Sequence, residues 1–393
     1  MDLLQNGTLR ITCARGLAVL LEREVSQLGY TIDLCDDSGV ELTGNLIDAM
    51  KLNLRLHVGL YVLYLLDRFA CHTADEMYEG LVRLAWEELI SPDEYVSIVS
   101  TVDTPTITDS RHASRRAKDA IVDRIAEHRG RRPNSGPQRE NVVVNLRWKA
   151  GDCRVYLNTT GRKLSDRNYR KIPFKAPMAE TLAAALLLEA GYDGTQPLVN
   201  PMCGSGTLAI EAALIASGRA PGLLRSNFGF IHLMGFDDPA WQAIRAEARK
   251  LRRPQPPAAI VATDIDERAV AAARQNAMTA GVDGLIRFEV CDFADTPLPP
   301  EPGILILNPE YGQRLGEEEK LEPTYARIGD FFKRKSPGWT GYVFTGNPNL
   351  AKKIGLRASR RVTFFNASIE CRLLKYELYS GTRRREKAHP DAR

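Results

Sequence analysis

The sequence has little of what marks a metal centre, a disulfide framework or a membrane span. Its seven cysteines are scattered without a CxxC pair, and its six histidines show no ligand spacing. Neither disulfides nor a zinc site is expected, and no metal is assigned. No apolar run approaches the roughly 18 residues of a membrane helix. The start, MDLLQNGTLRITCARGL, lacks a basic segment followed by a long apolar one, so a cytoplasmic protein is expected. No internal repeat is visible. With 44% hydrophobic and 26% charged residues in 393, the composition is that of a globular chain of two or three domains and excludes a disordered one.

What is present is clustered positive charge on a net charge of only +4. The run RHASRRAKDAIVDRIAEHRGRR at 111–132 sets eight Arg/Lys against three acids. In a helix, Arg111, Arg115 and Lys118 share one face, a phosphate-sized stripe suited to nucleic acid. The same run also reads as a solvated helix face. A second basic segment, GRKLSDRNYRKIPFK at 161–175, adds six cations with Tyr169 among them. The tail RRREKAHPDAR reads as a frayed end.

Three sections separate along the chain. Residues 1–60 hold a strand-like start, then an amphipathic helix with Leu17, Leu20, Leu21, Val25 and Leu28 on one stripe. Residues 61–165 mix helix and strand, with a hairpin turned at Lys149 to Gly151. Residues 166–385 alternate helix and strand. The strands are read at PLVN, AAIVATD, LIRFEVC, GILILN and GYVFTG, before a closing pair turned at Asn366 to Ser368. The expected class is α/β: a Rossmann-like, mostly parallel sheet with an antiparallel last strand, preceded by an α+β region.

The chemistry gathers at the strand ends. After the first strand comes Asn200-Pro201-Met202-Cys203-Gly204-Ser205-Gly206-Thr207 and then a helix, a layout that lets the backbone approach a ligand at a helix N-terminus. Alone it fits a dinucleotide oxidoreductase, an S-adenosylmethionine (SAM) site or a mere tight turn. Asp264, followed by Ile265, closes the second strand where a carboxylate can accept both ribose hydroxyls. Asp292 follows the third, where an acid beside Phe293 can hold an adenine amine. Either aspartate could equally cap a helix. In order at successive strand ends, the three point to a nucleoside cofactor.

The fourth strand end reads Asn308-Pro309-Glu310-Tyr311. An exocyclic amine on a base is a poor nucleophile because its lone pair is delocalised into the ring. Acceptors at the Asn308 side chain and the Pro309 carbonyl would turn that lone pair toward an electrophilic methyl, with Tyr311 stacking on the flipped base. Such a site works by positioning, without metal or covalent intermediate. Cys203 lies in the cofactor turn and reads as a packing residue. That disfavours cytosine-C5 chemistry, which needs a cysteine nucleophile in the catalytic loops.

The stretches NPMCGSGTLAIEAA, TDID, CDF and NPEYGQRL, with CARGLAVLLERE, AKDAIVD and APMAETLAAALL in order, resemble the SAM-dependent RNA methyltransferases that carry an N-terminal THUMP domain. The chain is similar to the guanine-N2 half of the fused bacterial large-subunit ribosomal RNA enzyme, and the transfer-RNA guanine-N2 enzymes share the architecture. The resemblance implies a ferredoxin-like piece over 1–60, a THUMP domain gripping RNA over 61–165 and a Rossmann-like catalytic domain over 166–385. It implies SAM as cofactor, with Gly204 and Gly206 facing its methionine part, Asp264 its ribose and Asp292 its adenine. The RNA would be ribosomal in preference to transfer RNA. Adenine N6 is the alternative target, and an RNA-binding protein without turnover the alternative class. Three positions depart from the family pattern: Asn200 stands for aspartate, Ala179 for lysine and Glu310 for a second proline. Glu310 is expected to read the N1–H of guanine, or else to point into solvent.

Overall fold

The computed structural model describes residues 2–105, 109–174, 178–253, 255, 257–312 and 317–379. Lys175, the Gln313–Gly316 end of the Asn-Pro motif and the basic tail lie outside the described residues.

The first half folds around one eight-stranded sheet. Its elements in chain order are β1 (Gly7–Thr12), α1 (Ala18–Gln27), β2 (Leu34–Asp36), β3 (Gly39–Gly44), α2 (Leu46–Arg55), β4 (Tyr61–Ala70), α3 (Ala74–Val82) and α4 (Trp86–Leu89). β5 (Tyr95–Asp103), α5 (Ser110–Arg129), β6 (Asn134–Ser135), β7 (Val142–Lys149) and β8 (Asp152–Asn158) follow. The expected helical stripe forms: Leu17, Leu20, Leu21 and Val25 are buried, with Leu28 packed at the edge. The β7–β8 hairpin turns through Ala150 and Gly151, both at positive φ, the geometry of a two-residue turn that follows strand twist. The division expected at residue 60 falls just before β4. That strand pairs with β1 through its first residues and with β8 along most of its length, so the sheet runs on across it.

The second half is a seven-stranded sheet in the order β11-β10-β9-β12-β13-β15-β14. Its strands are β9 (Leu198–Pro201), β10 (Ile260–Asp264), β11 (Ile286–Val290), β12 (Ile304–Leu307), β13 (Thr340–Thr345), β14 (Arg360–Asn366) and β15 (Ile369–Glu377). The helices are α6 (Glu180–Glu189), α7 (Thr207–Ala216), α8 (Asp238–Lys250), α9 (Glu267–Ala280), α10 (Glu317–Lys335) and α11 (Pro348–Lys353). β9 to β13 run parallel, and β15 is antiparallel to β13. β9 and β12 are buried at every residue, which is why their sequences show no polar alternation. Strand order reverses between β9 and β12, and a crevice opens there at their carboxyl ends.

A buried ionic cluster joins the halves. Arg167 and Glu211, both fully buried, lie 3.5 Å apart from Nε to Oε1, and the Tyr169 hydroxyl donates to Glu211 at 3.1 Å. Arg167 also donates to the carbonyls of Leu56, Leu164 and His57. The basic segment at 161–175 is thus not one exposed surface. Its Arg167 is buried to neutralise, and its Tyr169 to hydrogen-bond, a carboxylate on the helix that follows the glycine turn, because an unpaired buried charge is far costlier than a bonded one.

Candidate cofactor and base site

A cavity of about 430 Å³ occupies the crevice, with walls supplied by Asn200, Met202 to Ser205, Thr207 and Leu208, by Asp264 to Asp266 and by Asn308 to Glu310. The turn after β9 needs three residues in the left-handed region: Met202 (φ 58°), Gly204 (φ 54°) and Gly206 (φ 82°). A Cβ on Gly206 would come within 2.8 Å of the Ala273 Cβ on α9, whereas one on Gly204 would meet nothing. Gly206 therefore serves helix packing and Gly204 serves backbone conformation. Met202, a side chain held in that region beside a cavity, is a strained position of the kind that gathers at binding sites.

Asp264 fastens this turn. Its Oδ2 accepts the Gly204 N–H at 2.9 Å and its Oδ1 the Asp266 N–H at 3.0 Å. Each oxygen keeps one lone pair, so two further donors can be received. Asn200 is buried and its Nδ2 donates to the Ile306 carbonyl at 2.9 Å. That bond ties the glycine turn to the strand bearing Asn308. The aspartate usual in the resembling family could not make it, because a carboxylate has no hydrogen to give. Cys203 is buried beside Asp264 and lines the cavity, and burial pushes its thiol well above the ordinary range.

The Asn-Pro motif divides. Asn308, Pro309 and Glu310 line the cavity, with Glu310 exposed at its mouth and carrying no local partner for its carboxylate among the described residues. Tyr311 does not line it. Its hydroxyl donates to Asn308 Oδ1 at 2.6 Å, and its ring packs edge-on to Phe344 with centroids 6.1 Å apart. In this arrangement it orients the asparagine amide rather than offering a stacking face. Asp292 and Phe293 also stand back from the cavity. Asp292 accepts from Ala294 N–H at 2.8 Å and from Arg327 at 2.7 Å. Burial pushes its carboxyl up, but the arginine and the N–H outweigh this and hold it below its ordinary value. Phe293 is core, edge-on to Phe331. The exposed apolar group beside Asp264 is Ile265, 72% exposed and part of the wall.

Sequence reasoning missed Phe174 and Met178 from the segment before α6, and Leu321 and Thr324 from α10, which complete the wall. None lies in a motif, and only folding brings them there. The stripe on α5 forms as a helix face, but Arg111 pairs with Asp109 and Lys118 with Asp119. Arg115 is exposed and no ion pair involves it among the described residues. No group of three or more metal-ligating side chains occurs among the described residues, and none of their helices is long and apolar enough to cross a membrane.

Fold and site together define an α/β enzyme domain built for a nucleoside cofactor, carried behind an α+β region. The chain belongs to the RMKL-like methyltransferase family, whose domain model matches residues 167–375. Residues 8–63 match the RlmL ferredoxin-like domain and residues 71–158 the THUMP domain. A protein of Synechocystis sp., described as a candidate RNA methyltransferase, is 35% identical over 94% of this chain and 96% of its own length. The ribosomal RNA large subunit methyltransferase K/L of Syntrophotalea carbinolica is 36% identical over 93% of this chain. This chain spans about half the length of that relative, 53%. Among solved structures, that of a candidate methyltransferase complexed with SAH superposes with a TM-score of 0.85 at 26% identity, covering 98% of this chain and all of the other.

Proposed function

We propose that this chain transfers a methyl group from SAM to the exocyclic N2 of a guanosine in large-subunit ribosomal RNA. The coarser part rests on family membership: it is a SAM-dependent methyltransferase that carries an RNA-binding THUMP domain. Ribosomal RNA as target follows the K/L relatives, whose other half this chain does not span, and action in the cytoplasm follows from that target.

The observation that carries the cofactor is the charge of the cavity. Its described wall holds three carboxylates and no cation; Asp266 is paired with Arg268, which leaves Asp264 and Glu310 as its uncompensated negative charge. Such a field favours the cationic sulfonium of SAM and opposes the diphosphate of a nicotinamide dinucleotide. Asp264 is placed to receive the two ribose hydroxyls on its free lone pairs, Ile265 to cover the adenine, and the Gly204 to Thr207 turn to flank the methionine part. Asp292 acts from behind the wall. Asn308 Oδ1, held by the Tyr311 hydroxyl, and the Pro309 carbonyl receive the hydrogens of the amine. This turns its lone pair toward the methyl group; as the N–C bond forms the C–S bond breaks, SAH leaves with the electron pair, and the methylated, cationic amine then gives its proton to water. On α5, Arg115 takes a phosphate without giving up an acid.

The experiment is direct. Incubate the protein with methyl-labelled SAM and unmodified large-subunit ribosomal RNA, digest to nucleosides and separate the products. Label in N2-methylguanosine is expected, whereas label in N6-methyladenosine would overturn the base assignment.

A further inference from the structure

SAM carries a carboxylate as well as its sulfonium, and the described cavity wall offers that carboxylate no cation. Ala179, the cap residue just before α6 and next to the wall residue Met178, brings no charge either. Among the described residues, a cation stands just outside the wall. Arg170 Nη2 donates to Thr207 Oγ1 at 3.1 Å and to the Met178 carbonyl at 2.5 Å, and Thr207 and Met178 are both wall residues. Thr207 is also the first residue of α7, whose cap residue Gly206 has no side chain to accept from the first-turn N–H groups. The Arg170 Nε is buried and finds no acceptor among the described residues, so a donor is left over at this place. Arg170 and Ala179 line one wall of the adjoining cleft together.

We infer that Arg170 is a cofactor-binding residue, supplying from beneath Thr207 and Met178 the positive charge that holds the methionine carboxylate of SAM. The inference rests on the methyltransferase reading and deepens it. Glu180, 3.2 Å from Arg170, is the competing anion. Burial pushes its carboxyl up to about 7, against the pull of Arg170, so near neutrality Glu180 competes weakly and the guanidinium keeps charge to offer. A carboxylate arriving at the α7 N-terminus would share the Thr207 hydroxyl and the arginine, the charge-assisted pairing for which a planar guanidinium is suited.

The test compares two ligands that differ only in the amino-acid part. SAH and 5′-methylthioadenosine share adenosine and sulfur, but only SAH has the carboxylate. Titrate both calorimetrically into wild type, Arg170→Gln and Arg170→Lys. Arg170→Gln should weaken SAH binding about tenfold to a hundredfold, the range of a charge-assisted hydrogen bond, with methylthioadenosine binding within about twofold of wild type. Arg170→Lys should recover part of the SAH affinity. Equal losses for both ligands would mean that Arg170 only braces the Met178 segment, and SAH affinity unchanged in Arg170→Gln would remove it from the site; either overturns this inference alone. A wild-type protein that binds neither ligand would overturn the methyltransferase reading and the inference with it.

Discussion

The Gly204 N–H donates to Asp264 Oδ2 at 2.9 Å across 60 residues of sequence. One carboxylate at the end of β10 thereby sets the shape of the turn at the end of β9, while its remaining lone pairs face the cavity. If the same side chain also holds the cofactor, as proposed, its removal has two consequences. Asp264→Ala should weaken SAM binding by roughly 1.5 to 3 kcal/mol, the scale of charge-assisted hydrogen bonds, with RNA affinity unchanged. Asp264→Asn should lose less, since its amide oxygen can still accept the Gly204 N–H. Calorimetric titration with SAM checks both, and an unaltered affinity in a folded Asp264→Ala protein removes the residue from the site.

Along the basic run 111–132 the chain has already neutralised much of its own charge. Arg116 pairs with Asp75, Arg124 with Glu87 and Arg132 with Asp119 and Asp123, besides the pairs of Arg111 and Lys118. Each would bind phosphate only by exchanging one anion for another. Reversing Arg111, Arg115 and Lys118 together should therefore flatten the salt dependence of RNA affinity by about one unit, the share of Arg115, rather than by three. SAM affinity should not move. A salt slope equal to wild type would make the stripe a solvated helix face.

Glu310 stands exposed at the mouth of the cavity next to Asn308 and Pro309. Guanine offers two adjacent donors there, N1–H and the N2 amine, whereas adenine offers an acceptor beside its amine; a carboxylate can only accept. Wild type should prefer a guanine target over a matched adenine one by more than tenfold, since an unpaired acceptor costs about 1 to 3 kcal/mol once buried by the base. Glu310→Gln should reduce that preference, and methyl transfer to matched RNA pairs measures it. Should the glutamine variant keep both the guanine rate and the preference, the carboxylate faces solvent and does not read the base.

Much of the second half was legible in the sequence for a local reason. Strands buried on both faces, such as Ile304–Leu307, must be continuously apolar, and a turn through three left-handed residues calls for glycine at two of them. The strand ends therefore announced themselves as Gly204 to Thr207, Asp264, Asp292 and Asn308 to Tyr311. The direction in which each side chain points is not local. Asp292 was drawn to Arg327, 35 residues on, and Phe293 to Phe331. The Tyr311 hydroxyl turned back to Asn308 while its ring met Phe344. Charge in the sequence likewise marked cations without marking their partners: Arg167 looked like part of an RNA-binding segment, and tertiary structure buried it against Glu211. Periodicity and turn chemistry act over a few residues and fix which elements form and where a ligand crevice opens. Which groups line that crevice, and which charges are already spent within the protein, depends on contacts between residues far apart in the chain, and only the packed structure decides them.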